Sequence, residues 1–496
     1  MESLGLLMPV LEERGLFWLS DMPVPEGQFA PLGSIAGTLT VDDDGYVSLE
    51  LDSYFPTKHG PFGVLNEQGK PLGKDIYGVL RASNNRVILT GVMPNGGQMK
   101  TNGISYQEFV ATDCLVGSFD FSSDQLALAS DTLEIELLGF EDWFWLRSIK
   151  VSRTDDRISA DYERPSEATY KVADETLTFD FDVTGTAPYN FGGAFSIKQK
   201  VTLRFSLGLK ESLEKLKDRF RFFEELLILL TDSEYRLPWP RVALDVETKV
   251  RWYFGRFRPN KAAEAPKLHT CLTHFPKVRD AFGDIWSNWK RKREEFGPGF
   301  YLYLGTRRGL SLYPEHRFVN LIWGIEAFHR TKYAADPKAM TERTERIIEQ
   351  LSDKKDQKLI RHQLKFAHEP RLAARIFELF KALPIELEKK RLRKFADACA
   401  KARNDISHYG AHRDQGSYSE FALDLEKKSA ALSILCHCLL LHEIGVSKEI
   451  LTNWVQKGWG AFRIKYHFVA VGLLDDEVLK QSTGQAEPPK KRAKRK

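Results

Sequence analysis

Short runs in which apolar and polar residues alternate dominate the first part of the chain. Residues 45–55, 85–92 and 195–207 are examples, and turn signals such as Asn95-Gly96-Gly97 separate them. Alternation with a period of two is typical of half-buried strands. The stretches between the runs lack the helical pattern that a parallel sheet requires. Residues 1–207 are therefore predicted to form a β-rich domain with an antiparallel, sandwich-like sheet.

Apolar residues recur at intervals of three and four along most of the remaining chain, as in helices that bury one face. This pattern predicts an all-α bundle over 311–475, preceded by a helical, aromatic and basic connecting region over 208–310. The expected fold class is thus α+β. Residues 476–496 are polar and basic, which predicts a disordered tail. The predicted helices are 209–232, 284–296, 312–333, 337–353, 356–367, 371–384, 387–408 and 421–445.

The helix predicted over 387–408 ends in a cluster of polar and ionisable side chains. Asn404 and His408 are four residues apart and share a helix face, and the long side chain of Arg403 can reach toward that face. An arginine keeps its charge at any physiological pH, whereas a histidine titrates near neutrality. Together they are suited to chemistry on phosphates.

Composition indicates an ordinary globular protein that is long enough for several domains, with 42% apolar and 28% charged residues in 496. No apolar run approaches the roughly 18 residues of a membrane span. The N-terminal segment lacks a basic region, so no signal peptide is expected. The five cysteines are odd in number and scattered. Reduced thiols in a cytoplasmic protein explain them better than a disulfide framework does.

The net charge of +4 comes from the C-terminus. The segment 490–496 carries six positive charges, and subtracting them leaves −2 for residues 1–489. Any nucleic-acid site on the folded body must therefore be a local basic patch. The basic segment itself fits either a nuclear localisation signal or a phosphate-binding tail.

Two clusters allow a functional and a structural interpretation. Cys436, His437, Cys438 and His442 contain metal-ligand types, but the two cysteines fall on different sides of a helix and no second ligand pair lies nearby. We therefore expect buried thiols, with no metal and no cofactor. The aromatic cluster 143–145 is either a ligand-stacking face or part of core or interface packing, and packing is favoured.

Two basic stretches are candidates for RNA binding. Aromatic residues interleave with arginines up to position 258, a mixture that can stack bases and hold phosphates. The alternatives, an amphipathic strand packed under helices and a solvated helix face, are favoured on general grounds. The candidate residues are Arg251, Arg256, Arg258, Lys290, Arg291, Lys292 and Arg293.

The sequence RNDISH over 403–408 matches the R-x4-6-H pattern of HEPN-domain ribonucleases, with Asn404 as the polar residue after the arginine. The preceding segment 316–330 looks like the glutamate-bearing first helix of that domain, with Glu326 as its glutamate. The pair of segments behind a β-rich half resembles the ApeA group of abortive-infection proteins in bacterial antiphage defence. The resemblance covers 311–475 and extends less strongly to 1–207, and the basic tail lies outside it.

The resemblance implies a metal-independent RNA endonuclease whose active site forms between two HEPN domains, so at least a homodimer is expected. Arg403 and His408 would be catalytic, and Asn404 and Asp405 would orient them. Glu326 would orient them too, or else form a salt bridge within the bundle. A further candidate for proton transfer is His412. By family analogy the RNA is tRNA, and a phage-derived trigger would act through the N-terminal domain.

Two further hypotheses compete with the nuclease. One is a non-catalytic helical dimerisation module whose β-rich domain recognises a protein or glycan. The other is an RNA-binding protein without catalysis. Only the family resemblance places the nuclease first, because an arginine and a histidine at a helix end can also form a structural network.

Overall fold

A computed structural model describes the chain as two compact units. The first, here called the β unit, comprises residues 1–141, 146–224 and 236–258; the second, the helical unit, comprises 142–145, 225–235 and 259–496. The residues that the structure describes are 9–55, 71–98, 100, 102–121, 128–186, 196–245, 247–256, 263–307, 312–333, 338–364, 369–407, 417–458 and 460–482.

The β unit contains one large antiparallel sheet and a separate two-stranded ribbon of β10 and β11. The strands are β1 (Leu11–Leu19), β2 (Ile35–Val41), β3 (Val47–Leu51), β4 (Ile76–Leu80), β5 (Arg86–Thr90), β6 (Met93–Gln98), β7 (Tyr106–Ala111), β8 (Asp113–Gly117), β9 (Ala129–Glu136), β10 (Ile149–Arg153), β11 (Ile158–Tyr162), β12 (Ala168–Val172), β13 (Glu175–Thr186), β14 (Ser196–Ser212), β15 (Arg241–Ala243) and β16 (Lys249–Phe254).

Fourteen described strands follow one another across the large sheet in the order β12-β13-β14-β9-β15-β16-β8-β5-β4-β1-β2-β3-β7-β6. On β14, the alternate residues Val201, Leu203 and Phe205 are buried, as the period-two pattern requires. The prediction of a β-rich, antiparallel N-terminal half followed by an all-α part is confirmed.

The connecting region predicted over 208–310 does not form a unit of its own. β15 and β16 insert between β9 and β8, so this part of the chain belongs to the large sheet. Burial of apolar side chains favours this place in the sheet, because Trp252 and Phe254 on β16 are almost fully buried there. From residue 259 onward the chain belongs to the helical unit.

Most predicted helices are present with shifted ends. The helix predicted from 209 begins at Leu213, because β14 continues to Ser212. The described helices are α1 (Glu141–Phe144), α2 (Leu213–Thr231), α3 (Phe275–Val278), α4 (Phe282–Phe296), α5 (Pro298–Gly305), α6 (Pro314–Lys332), α7 (Lys338–Ile348), α8 (Lys354–Leu364), α9 (Leu372–Lys381), α10 (Lys389–Ser407), α11 (Tyr418–Glu443), α12 (Lys448–Gln456), α13 (Ala461–Ala470) and α14 (Glu477–Ser482).

Helix α14 lies within the stretch predicted to be disordered. It packs against α13 and extends the helical unit beyond residue 475. The sequence did not predict this short helix, because the stretch is polar and was therefore assigned to the disordered tail. The basic segment 490–496 lies outside the described residues.

Helix α6 is central to the helical unit and packs against α5, α9, α10 and α11. Its predicted apolar face is buried, including Phe318, Ile322 and Ile325. α5 and α6 cross where two glycines meet. A Cβ atom on Gly324 would lie 2.9 Å from the carbonyl oxygen of Gly299, so the two backbones are in direct contact. Within the described ranges, none of the helices has the length and apolar character needed to cross a membrane.

Candidate active site

The polar cluster predicted at the end of α10 lies in the last turn of that helix. The opposite face of α10 packs into the helical unit through Phe395, Cys399 and Ala402, which are nearly inaccessible to solvent. Because one helix face is fixed by this packing, Arg403 is half-buried beside it, whereas Asn404 is exposed.

The guanidinium of Arg403 has no acidic partner among the residues that the structure describes. Its Nη1 donates a hydrogen bond to Oδ1 of Asn404 at 3.4 Å. Its Nε is shielded from solvent and has no hydrogen-bond partner in the described part of the chain. A buried donor on a permanently charged group is costly unless an acceptor satisfies it. Within the described ranges, no carboxylate thus neutralises the guanidinium of Arg403.

The last described residue of α10 is Ser407, whose hydroxyl donates to the carbonyl oxygen of Arg403 at 3.1 Å. Asp405 is exposed in the same turn. His408 and His412 lie outside the described residues, which resume at Ser417. The pairing of Arg403 with His408 therefore stays a prediction.

Glu326 lies half-buried on α6, which packs against α10. Within the described ranges it forms neither a hydrogen bond nor an ion pair, and a salt bridge within the bundle stays a prediction. Its proposed role in orienting Arg403 also stays a prediction. The buried polar contact on α6 belongs instead to His329, whose Nε2 lies 2.8 Å from Oε2 of Glu378.

The arginines of the aromatic stretch differ in their surroundings. Arg251 is half-exposed on β16. Arg256 is half-buried and donates to the carbonyl oxygens of Leu237 at 2.6 Å and Pro238 at 3.2 Å. Its guanidinium lies 3.6 Å from the ring centre of Trp239, and burial lowers its pKa to about 10. Arg256 thus contributes to the interior of the β unit, and Arg258 lies outside the described residues.

The basic run on α4 is largely matched by acidic side chains. Lys290 lies with its Nζ 5.9 Å from the ring centre of Trp286. The ion pairs of the other three residues are Arg291–Glu295 at 2.6 Å, Lys292–Glu295 at 2.8 Å, Lys292–Glu443 at 3.3 Å and Arg293–Glu225 at 2.7 Å. RNA binding by this run stays a prediction. An RNA phosphate would have to compete with these carboxylates for the basic side chains.

The cysteines Cys436 and Cys438 are buried in α11, and burial raises the pKa of both thiols. Their interpretation as core residues is confirmed. Between them, His437 has its Nε2 2.7 Å from the carbonyl oxygen of Leu229 and its Nδ1 2.8 Å from the hydroxyl of Tyr303. Across the described residues, no group of three or more His, Cys, Asp or Glu side chains is placed to hold a metal ion.

A second polar cluster was not predicted. The buried carboxylate of Asp232 lies 2.5 Å from Nη2 of Arg307, 3.4 Å from Nη2 of Arg463 and 3.5 Å from Nδ1 of His437. Burial raises the pKa of Asp232, but the guanidinium groups of Arg307 and Arg463 outweigh that effect and hold the pKa below its usual value. The four residues come from separate parts of the chain, so no local spacing could have indicated the cluster.

Comparison with protein families gives two matches. The model described as ApeA N-terminal domain 1 matches residues 12–289, more than half of the chain, and the model described as Apea-like HEPN matches residues 319–450. The second match includes Glu326 and the RNDISH segment over 403–408. Searches of curated proteins and of solved structures find no match.

Proposed function

The chain belongs to the ApeA family, with an ApeA N-terminal domain followed by an Apea-like HEPN domain, and from this premise we propose that it is a metal-independent RNA endonuclease of antiphage defence. The family match supports the assignment of the chain as a HEPN nuclease that acts in antiphage defence. A tRNA substrate, the residue roles and the reaction below go further than the family match.

One observation carries the proposal, namely the state of Arg403. It lies in the HEPN-matched region at the end of α10, without an acidic partner among the described residues. Arg293, by contrast, is nearly buried and neutralised by Glu225. An unneutralised guanidinium with an unsatisfied Nε is suited to bind the oxygens of a phosphate.

The proposed reaction uses the ribose 2′-hydroxyl as nucleophile, which restricts the substrate to RNA. A histidine takes the proton of this hydroxyl as its oxygen attacks the adjacent phosphorus. Arg403 stabilises the negative charge that builds up on the non-bridging oxygens. A histidine then donates a proton to the departing 5′-oxygen as the P–O bond breaks. The products are a 2′,3′-cyclic phosphate and a 5′-hydroxyl end.

The two proton transfers need a base and an acid at the same time, whereas one chain offers His408 with only His412 as a further candidate. We place the second arginine and histidine on another copy of the chain, so that the active site is composite. Asn404, Asp405 and Glu326 would orient the catalytic pair. The β unit would restrain the nuclease until a phage-derived trigger releases it, because unrestrained RNA cleavage kills the host.

Replacing Arg403 or His408 with alanine tests this function. Each substitution should lower RNA cleavage by roughly 10²- to 10⁴-fold, since it removes charge stabilisation or proton transfer from the transition state. Growth and total RNA are followed in cells that express each variant, with and without phage, and cleavage by the purified proteins is measured on total tRNA. Lys401→Ala, an exposed substitution on the same helix, is the matched control and should cleave as the original chain does.

Three outcomes contradict the proposal. Equal RNA integrity and equal phage protection in the original chain and in His408→Ala would favour the non-catalytic dimerisation module. RNA binding without cleavage would favour the RNA-binding protein. Products with a 5′-phosphate, or cleavage that stops when EDTA is added, would rule out the attack of the 2′-hydroxyl assisted only by side chains.

A further inference from the structure

A cavity of about 790 Å³ opens in the helical unit. Ligand sites in proteins usually enclose roughly 300–1,000 Å³, so the space suits a small molecule. Its lining combines Trp145, Asp232, His274 and Arg307 with residues of the link between α12 and α13. No residue of α10 lines it, so it is distinct from the candidate active site at Arg403.

The lining is strongly basic. Its described charged side chains are four cations and the carboxylate of Asp232, and that carboxylate pairs with Arg307 at 2.5 Å and with Arg463 at 3.4 Å. Lys277 and Lys457 are exposed at the cavity, and neither forms an ion pair within the described part of the chain. The fourth cation, Arg463, has a side chain that is 72% exposed. An excess of positive charge in a concave site attracts an anionic ligand.

An aromatic surface lies beside these charges. Trp145 is 40% exposed, whereas its neighbours Trp143 and Phe144 are fully buried. The ring centre of Trp145 lies 5.3 Å from that of His274. The backbone of Trp145 has a φ angle of 45°, and the backbone of Asp232 has a φ angle of 57°. Conformations of this kind are unfavourable for residues other than glycine and are concentrated at ligand sites. The indole can stack a planar ring such as a nucleobase.

His274 adds a hydrogen-bond acceptor to the lining. Its Nε2 donates to the carbonyl oxygen of Leu268 at 2.9 Å. Burial lowers the pKa of the imidazole, which keeps it neutral, so its Nδ1 carries a lone pair. This Nδ1 is buried and has no donor among the described residues. An N–H or O–H group of a ligand would satisfy it.

We propose that this cavity binds a nucleotide, with its phosphate at Lys277, Lys457 and Arg463 and its base against Trp145. A free nucleotide and the terminal nucleotide of a phosphorylated RNA share this chemistry. The site is additional to the nuclease site and does not depend on RNA cleavage.

Isothermal titration calorimetry of the full chain tests the inference. ATP, GTP, AMP, inorganic phosphate and a short 5′-phosphorylated RNA are titrated separately, and the RNA is titrated into Arg403→Ala so that it stays intact. The double variant Lys277→Gln/Lys457→Gln should weaken nucleotide or terminal-RNA binding by at least about tenfold, since it removes two cations from the phosphate. Trp145→Leu should weaken nucleotide binding and leave that of inorganic phosphate unchanged.

Lys448→Gln is the matched control, since Lys448 is exposed at the start of α12 and does not line the cavity. It should bind as the original chain does. Binding of free nucleotides identifies them as the ligand, and binding of the phosphorylated RNA alone assigns the site to RNA ends. Binding to none of the probes, equal affinity in the double variant, or equal affinity for ATP and inorganic phosphate would each overturn the inference. The Arg403→Ala protein should bind nucleotides normally, which separates this result from any failure of the nuclease hypothesis.

Discussion

His437 lies in the interior of the helical unit as a neutral imidazole. Burial lowers its pKa from the usual 6.5 to about 4, and the charge of Asp232 opposes this shift only in part. The neutral ring donates from Nε2 to Leu229 and accepts the hydroxyl proton of Tyr303 at Nδ1. In the unfolded chain the same ring takes up a proton near pH 6.5. Between these two pKa values the unfolded state therefore binds more protons than the folded state.

Folding stability should consequently fall as the pH is lowered from about 6.5 toward 4, with no further loss from this group below 4. A shift of this size corresponds to about 3 kcal/mol. The measurement is urea unfolding at a series of pH values, followed by circular dichroism at 222 nm. His437→Gln keeps a donor and an acceptor but cannot be protonated, so it should lose less stability over this range.

His442→Gln, which changes an exposed histidine on the same helix, should keep the pH dependence of the original chain. Parallel pH profiles for the original chain and His437→Gln would show that His437 does not account for the loss.

At the scale of elements, the crossing of α5 and α6 depends on two glycines. Gly324→Ala places a methyl group 2.9 Å from the carbonyl oxygen of Gly299, and a backbone atom cannot yield as a flexible side chain would. We expect a loss of roughly 1–3 kcal/mol from overpacking, measured as the free energy of unfolding in urea. Gly305→Ala, at the end of α5, is the control, because its new Cβ meets nothing within 4 Å. That substitution should be neutral or should stabilise by up to about 1 kcal/mol. Equal effects of the two substitutions would contradict the close contact.

Local sequence patterns predicted these elements well where burial follows a simple period. The apolar spacing of α6 and α10 located both helices to within a few residues. Contacts between residues that are far apart in the sequence leave no such periodic pattern. The insertion of β15 and β16 beside β9 depends on contacts between distant segments, and so does the ion pair of Arg293 with Glu225. The basic run of α4 consequently looked like an open basic patch, although Glu295 on the same helix and the distant Glu225 and Glu443 pair with three of its residues.

The same distinction applies to the sites. Arg403, Asn404 and His408 are close in sequence, so one helix pattern was sufficient to propose them together. The cavity draws on residues from Trp145 to Ile464. Of its lining residues, the sequence indicated only Trp145 as a candidate ligand contact, within the aromatic cluster 143–145, for which core or interface packing is favoured. That preference is correct for Trp143 and Phe144, but Trp145 is exposed at the cavity.

At the scale of the whole molecule, the proposed composite active site would make nuclease activity depend on the concentration of the chain. Adding about a tenfold excess of the His408→Ala chain to a fixed amount of the original chain should draw most active copies into mixed dimers. Each mixed dimer lacks one catalytic histidine, so cleavage per active chain should fall steeply. Cleavage of a fluorescently labelled tRNA measures this, with an equal excess of serum albumin as control. Unchanged cleavage would show that one chain holds a complete site.

The unequal exposure of two neighbouring indoles gives the helical unit an intrinsic optical probe. Trp143 is fully buried, whereas Trp145 is exposed to solvent at the cavity. Emission from Trp145 should therefore be red-shifted and accessible to quenching by iodide, whereas that of Trp143 is protected. A base stacked on Trp145 would shield it from the quencher, so occupation of the cavity should lower the iodide-accessible emission that distinguishes the original chain from Trp145→Leu.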